Sequence, residues 1–200
     1  MMKLYWAPQT RAFRAVWMLE EAGRPYERVL IDIRNGAQST PAFQAVNPMM
    51  KVPALADGAA MVAESAAICA YVAERVPEAN LAPPPGDPSR GRYLHWLFFA
   101  AACIEPAFTQ KFLKFEMNPS QAGWSSFERV IDVLAEALRP RPWILGERFS
   151  AADVMLGSDL NFGMNLLKIV EPRPEFTVYV ARCAARPAFQ RAIAVDAGGV

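Results

Sequence analysis

The sequence predicts two folding units, an α/β domain at the N-terminus and an all-helical domain after it. Three observations carry this. Strand and helix periodicities alternate up to Val76, a proline-rich break follows at 81–88, and strand signals disappear beyond it.

Lys3-Leu4-Tyr5-Trp6 is short, aromatic-rich and stopped by Pro8, as a strand entering a loop should be. From Thr10 to Ala22 the apolar residues Phe13, Val16, Trp17 and Leu19 recur at helical spacing, Glu20 and Glu21 lie outside the stripe, and Gly23 stands where a C-terminal cap belongs. Tyr26 to Ile33 alternates and is rich in β-branched residues, so it reads as a second strand and completes a βαβ unit. Thr40-Pro41 opens a short helix that Asn47-Pro48 closes. Two strand-like runs, Val52 to Ala56 and Ala60 to Val62, flank Asp57-Gly58, a dipeptide suited to a tight hairpin. Pro53 would remove a ladder hydrogen bond from a central strand, so it marks an edge or a ligand-facing position. A helix then runs from Ala66 to Val76, with Ser65 near its N-terminal cap.

The break Leu81-Ala82-Pro83-Pro84-Pro85-Gly86-Asp87-Pro88 continues neither helix nor strand and reads as a semi-rigid linker between domains 1–80 and 89–200. Beyond it Arg92 to Phe115, Trp124 to Leu138, Ala152 to Ile169 and Glu175 to Ala185 carry helical periodicity, separated by Asn118-Pro119, the 139–142 stretch, and Glu171-Pro172-Arg173-Pro174. Ser150 and Asp153 have capping-box spacing, with Phe149 and Val154 placed for the accompanying staple, so both residues are assigned to folding.

Composition excludes several functions. Lys and Arg number 21 against 20 Asp and Glu, so no net field favours nucleic acid or an anionic membrane. No apolar run reaches the roughly 18 residues of a membrane span, and the N-terminus lacks a signal-peptide core. Cys69, Cys103 and Cys183 are odd in number and widely spaced, which fits a reducing cytoplasm better than a disulfide framework. With His95 the one histidine and no acidic cluster at ligand spacing, metal is not expected.

The fragments LYWAPQTRAFRAVWMLEEAG, NPMMKVPAL, ESAAICAYVAERVP and GERFSAADVMLGSDL, followed by RPAFQRA, resemble the cytosolic glutathione transferase superfamily of bacterial type. The resemblance spans nearly the whole chain in order and spacing. It implies a thioredoxin-like N-terminal domain, a helical C-terminal domain and a homodimer. It also implies a cis peptide before Pro53, whose cost is only about 0.5–1 kcal/mol for an X-Pro bond. The Val52 backbone, turned outward there, would pair with glutathione strand-fashion. Ser65 and the start of its helix would hold the γ-glutamyl carboxylate, with Glu64 on the ammonium; Ser65 also reads as an ordinary cap. Lys51 would face the glycyl carboxylate or solvent. An apolar co-substrate is expected against Phe99, Phe108 and Phe112, facing the cleft between the domains.

Catalysis in such an enzyme requires a donor that stabilises the glutathione thiolate. Aligned by Arg14-Ala15-Val16, the donor slot falls on Thr10; aligned by the first strand and Pro8, it falls on Arg11. Thr10 also reads as a helix cap. Both residues depart from the usual Tyr, Ser or Cys, and Met50 departs from a common Gly. The expected activity is conjugation of glutathione to small hydrophobic electrophiles or reduction of organic peroxides. The alternative is a non-catalytic ligand-binding or regulatory protein on the same fold.

Overall fold

The computed structural model describes residues 1–139 and 141–198. Pro140, inside the break expected at 139–142, and the last two residues of the expected 89–200 domain lie outside them. The chain divides into two compact units. The first comprises Met1–Leu81 together with the segment from Arg186 onward, and the second Ala82–Ala185.

In the first unit, β1 (Met2–Trp6) pairs parallel with β2 (Tyr26–Leu30) and antiparallel with β3 (Ala54–Asp57), and β3 pairs antiparallel with β4 (Ala60–Ala63). The sheet order is β2-β1-β3-β4. Helices α1 (Ala12–Ala22), α2 (Pro41–Gln44) and α3 (Ser65–Arg75) connect or follow these strands. Gly23 ends α1 in the left-handed conformation at φ 67°, its N–H bonded to the Leu19 carbonyl. β2 stops at Leu30, short of the expected Ile33, because Asp32 draws the chain into a tight turn by accepting from the N–H groups of Arg34 and Asn35. The hairpin turn is Gly58-Ala59. Asp57 is the last residue of β3, and its carboxylate accepts from Tyr71 and Arg75, tying the hairpin to α3.

A further helix, α9 (Pro187–Gly198), belongs to this unit although its sequence position placed it in the 89–200 domain. It packs along α1. Phe189 lies edge-on to Trp17, with centroids 4.8 Å apart, and to Phe13. Arg186 makes a two-pronged pair with the half-buried Glu21 at 2.6 and 2.7 Å, and Arg191 pairs with Glu20. These contacts, and not chain order, assign the segment.

The second unit holds α4 (Arg90–Phe99), α5 (Glu105–Leu113), α6 (Phe127–Leu138), α7 (Ala151–Asn161) and α8 (Pro174–Ala184). The break at 81–88 is tied to this unit by Arg90 Nη1, which donates to the Pro83 carbonyl, and by the Arg148–Asp87 pair. Among the described residues beyond it there is no strand, only an isolated bridge between Trp143 and Gly146. The helix expected over 92–115 is two helices separated by a π-turn at Ala100–Ile104. Pro106 has no N–H to offer the carbonyl one turn back and its ring crowds that carbonyl, so the ladder widens just before it. A second π-turn, Phe162–Leu166, ends α7. A Cβ at Gly163 would stand 2.6 Å from the Phe108 ring, so this close approach requires glycine.

Every residue of α7 from Ala151 to Leu160 is buried, so water cannot satisfy its first N–H groups. The capping box does this locally, and Asp153 also gathers the surrounding chain. One carboxylate oxygen accepts from Ser150 N–H and Oγ, both at 2.9 Å. The other accepts from Ile144 N–H at 2.8 Å and Tyr179 O–H at 2.7 Å. Phe149 packs edge-on against Trp143 at 4.8 Å. Burial pushes the Asp153 carboxyl up to about 6, against the pull of these four hydrogen bonds. The folded state therefore binds a proton at Asp153 more tightly than the unfolded chain does. The stabilisation from that proton is complete below about pH 4 and is lost as pH rises through about 6, a change of roughly 3 kcal/mol. Asp153→Ala is expected to cost at least about 1 kcal/mol. The Tm gap between wild type and Asp153→Asn is expected to narrow between pH 4 and 7, as followed by thermal melts; a gap that widens would show the carboxylate favoured by its site.

Candidate functional site

The strand register collects the expected binding residues at one end of the sheet. Tyr5 faces Ala54, and Ala54 faces Ala63, so one row crosses β1, β3 and β4. The loop after β1, the Val52-Pro53 segment before β3 and Glu64-Ser65 after β4 all leave that row on the same side. Neighbouring strands lie about 4.8 Å apart, so the row spans roughly 10 Å.

The Val52–Pro53 bond is cis. Among the described residues neither the N–H nor the C=O of Val52 has a hydrogen-bond partner, which leaves a donor and an acceptor side by side for an extended peptide. The preceding loop is organised by the buried Asn47, which does more than close the helix before it. Its amide donates to the Lys51 carbonyl at 2.8 Å and its Oδ1 accepts from Met49 N–H. Met50 adopts φ 54°, in the left-handed region that favours glycine. Lys51 is exposed. An Asn-Pro pair before a Lys-Val-Pro segment is the signal from which the role of Asn47 could have been read.

Glu64 is the N-cap of α3 and adopts φ 69°, ψ 124°, a region L-residues rarely occupy. Ser65 is the first helical residue. Its hydroxyl makes no capping bond and has no partner among the described residues. The helix therefore presents its N-terminal dipole, a free hydroxyl and an exposed carboxylate from two consecutive residues.

In the loop after β1, the single O–H of Thr10 donates to the Ala7 carbonyl at 2.7 Å, while its oxygen accepts from Ala12 N–H at 3.1 Å. The hydroxyl is thus committed to the turn that opens α1. Arg11, exposed, is the N-cap position and makes no side-chain capping bond, and the first turn of α1 carries no acidic residue. Gln9 adopts φ 56°, and its N–H donates to both carboxylate oxygens of Asp196 on α9, at 3.1 and 3.2 Å. Burial pushes the Asp196 carboxyl up, the Gln9 hydrogen bond drawing it down.

In the helical unit the three expected pocket residues differ. Phe108 is 3% exposed and lies against Phe127, Phe99 is half-buried beside Trp96 and His95, and Phe112 is 55% exposed. Among the described residues no group of three or more His, Cys, Asp or Glu is gathered for a metal, and no helix is long and apolar enough to cross a membrane.

Residues 1–74 match the glutathione S-transferase N-terminal domain and residues 105–162 the glutathione S-transferase C-terminal domain. Glutathione transferase from Methylococcus capsulatus str. Bath is 33% identical, with a TM-score of 0.84 over 98% of this chain and 99% of that one. A sphingomonad glutathione S-transferase, solved in complex with glutathione, is 28% identical with a TM-score of 0.82 over 98% of both chains. Glutathione S-transferase GstA of Escherichia coli O157:H7 is 28% identical over 98% of each sequence.

Because the Ser65 hydroxyl caps nothing, Ser65→Ala is expected to change folding stability by less than about 0.5 kcal/mol in chemical denaturation, against the roughly 1 kcal/mol loss typical of a true cap.

Proposed function

Since the chain belongs to the glutathione S-transferase family, we propose that it binds glutathione at the sheet end described above and transfers the thiol to small hydrophobic electrophiles, or uses it to reduce organic peroxides. The observation that carries this reading is the row Tyr5–Ala54–Ala63, which places an unpartnered Val52 backbone beside an unpartnered Ser65 hydroxyl at a helix N-terminus. The cysteinyl backbone pairs with Val52, the γ-glutamyl carboxylate sits on Ser65 and the α3 N-terminus, its ammonium on Glu64, and the glycyl carboxylate near Lys51.

In substitution the thiol proton leaves to solvent, the thiolate sulfur bonds to the electrophilic carbon and the leaving group departs with its electron pair; in addition the displaced pair settles on oxygen or nitrogen and takes up a proton, and peroxide reduction consumes two glutathiones to give the disulfide, an alcohol and water. With the Thr10 hydroxyl held by Ala7, the stabilising groups are Arg11 and the positive end of α1. Phe99 and Phe112, which keep exposed surface, contact the apolar co-substrate, while Phe108 is buried against Phe127. The same commitment of Thr10 favours a second reading, a non-catalytic glutathione-binding or regulatory protein. Cytoplasmic location, a detoxifying role and a homodimer complete the proposal. Exposed Met61 on the edge strand β4, and Phe98, Leu113 and Phe115 in the helical unit, are the kind of apolar surface an obligate interface covers.

The protein is expected to bind glutathione resin and to turn over members of a panel of aryl halides, epoxides, isothiocyanates and hydroperoxides. Binding without turnover would select the second reading, and Ser65→Ala is expected to weaken glutathione by about 1–3 kcal/mol. Titrating the thiolate absorbance of bound glutathione tests the reactive loop. Arg11→Ala is expected to raise the thiol pKa, whereas Thr10→Ser leaves it unchanged; a rise only in Thr10→Ala would return the role to the hydroxyl. Sedimentation at micromolar concentration is expected to show a dimer, and a folded monomer would overturn that part of the proposal.

A further inference from the structure

We infer that Asp196, on the C-terminal helix α9, is a positioning residue for thiol chemistry, clamping the Gln9 peptide and thereby fixing the loop that carries Thr10 and Arg11. The inference rests on the glutathione-binding reading and deepens it at one site.

The geometry begins with the path of α9. Arg186 meets Glu21, Phe189 meets Trp17 and Phe13, and Asp196 meets Gln9, so residue numbers rise along α9 as they fall along α1. The two helices lie antiparallel. A bidentate ion pair anchors one end and an edge-to-face aromatic cluster the middle, which leaves Asp196 to close the end nearest the reactive loop. Seven residues separate Phe189 from Asp196, about two helical turns or roughly 10 Å of rise.

At that end the carboxylate does something a surface acid does not. Both oxygens accept from the same backbone N–H, at 3.1 and 3.2 Å, and among the described residues no cation pairs with Asp196. A partly buried carboxylate with one amide donor is a poor source of global stability, since desolvation opposes the single hydrogen bond. Its effect is local. Gln9 is held at φ 56°, a conformation a non-glycine residue occupies when its surroundings impose it.

The loop is closed from the other side as well, by Thr10 O–H on the Ala7 carbonyl. Between these two ties the peptide N–H of Thr10 has no partner among the described residues. By engaging the Gln9 N–H, Asp196 fixes the peptide before Gln9, and the Thr10 N–H that follows it stays a donor just ahead of α1. Asp196 touches neither glutathione nor the electrophile in this account. It acts through the backbone.

The test compares Asp196→Ala with Asp196→Asn, which keeps one acceptor oxygen, in the full chain. Glutathione affinity is measured by calorimetry, the bound-thiol pKa by thiolate absorbance, and turnover with a chlorodinitrobenzene. Asp196→Ala is expected to raise the bound-thiol pKa by about one unit and lower kcat near neutral pH by about tenfold, with glutathione Kd and KM within about twofold of wild type. Asp196→Asn is expected to recover most of both. Unchanged pKa and kcat in Asp196→Ala would overturn the proposal. So would a parallel loss of affinity, turnover and Tm that Asn does not rescue, because that pattern belongs to a merely structural residue. Amide hydrogen exchange at Gln9 reads the clamp without ligand: it is expected to be at least about tenfold faster in Asp196→Ala while α1 amides stay protected, and equal rates would overturn the clamp. Wild-type protein that shows the protected Gln9 amide yet binds no glutathione would instead overturn the parent reading, and with it the assignment to thiol chemistry.

Discussion

The antiparallel pairing of β3 between β1 and β4 is the constraint on which the candidate site depends. Leu4 faces Leu55 across the ladder and both are fully buried, so the register is fixed by the core. A slip of one residue would carry Leu55 to the opposite face of the sheet. It would also move Pro53 away from the end of β1 and Glu64 away from the start of β3. The segments that meet at this end are separated by more than 40 positions in the chain, from Ala7 to Val52, and they become neighbours only because apolar side chains forbid every other register. The arrangement of the candidate binding groups is thus a by-product of packing that lies beneath them.

The two units solve the problem of buried polar groups differently. Along α1 and α9, the acids Glu20 and Glu21 face guanidinium groups, and Trp17 Nε1 also donates to Glu21, so charge is met by charge within a partly wet surface. In the helical unit a fully buried carboxylate, Asp153, is met by four neutral donors from three segments of chain. Removing water from it costs more than those donors return, as its raised proton affinity shows. What the carboxylate provides is convergence. The Trp143–Ile144 loop, the start of α7 and the middle of α8 are all referred to one point, a specificity that apolar packing alone does not supply.

Much of this was legible in the sequence where the signal is local. Gly23 after an apolar stripe, Thr40-Pro41, the spacing of Ser150 and Asp153, and the strand runs around Asp57-Gly58 each express a rule that acts within a few residues, and the structure places a cap, a helix start, a capping box and a hairpin there. The π-turns were not legible because helical periodicity persists through them; at Ala100–Ile104 only Pro106 hinted at the break, and Gly163 matters through a ring over 50 positions away. The placement of α9 depends on its partners across the chain, Glu20, Glu21 and Trp17. The same limit applies to Thr10. The residue type offers a hydroxyl, but whether that hydroxyl is available is decided by the Ala7 carbonyl, which no motif records.

A committed hydroxyl does not by itself remove the chemistry. A free thiol near pKa 8.5 is only about 3% ionised at pH 7, so a shift of one unit raises the thiolate fraction roughly eightfold. A helix N-terminus contributes about 0.3–1 kcal/mol toward a negative charge, up to about 0.7 of a pKa unit, and the first turn of α1 itself holds no acid. In the proposed reading a backbone N–H would add a hydrogen bond to the charged form, and Arg11 a positive charge at the cap position. In that reading the thiolate is stabilised by backbone groups and a cation, without any side-chain hydroxyl. They act only while the loop keeps one conformation, since a dipole and an N–H are directional. A thiolate site that relies on backbone groups therefore places its demand on the positioning of the loop and less on the identity of one side chain.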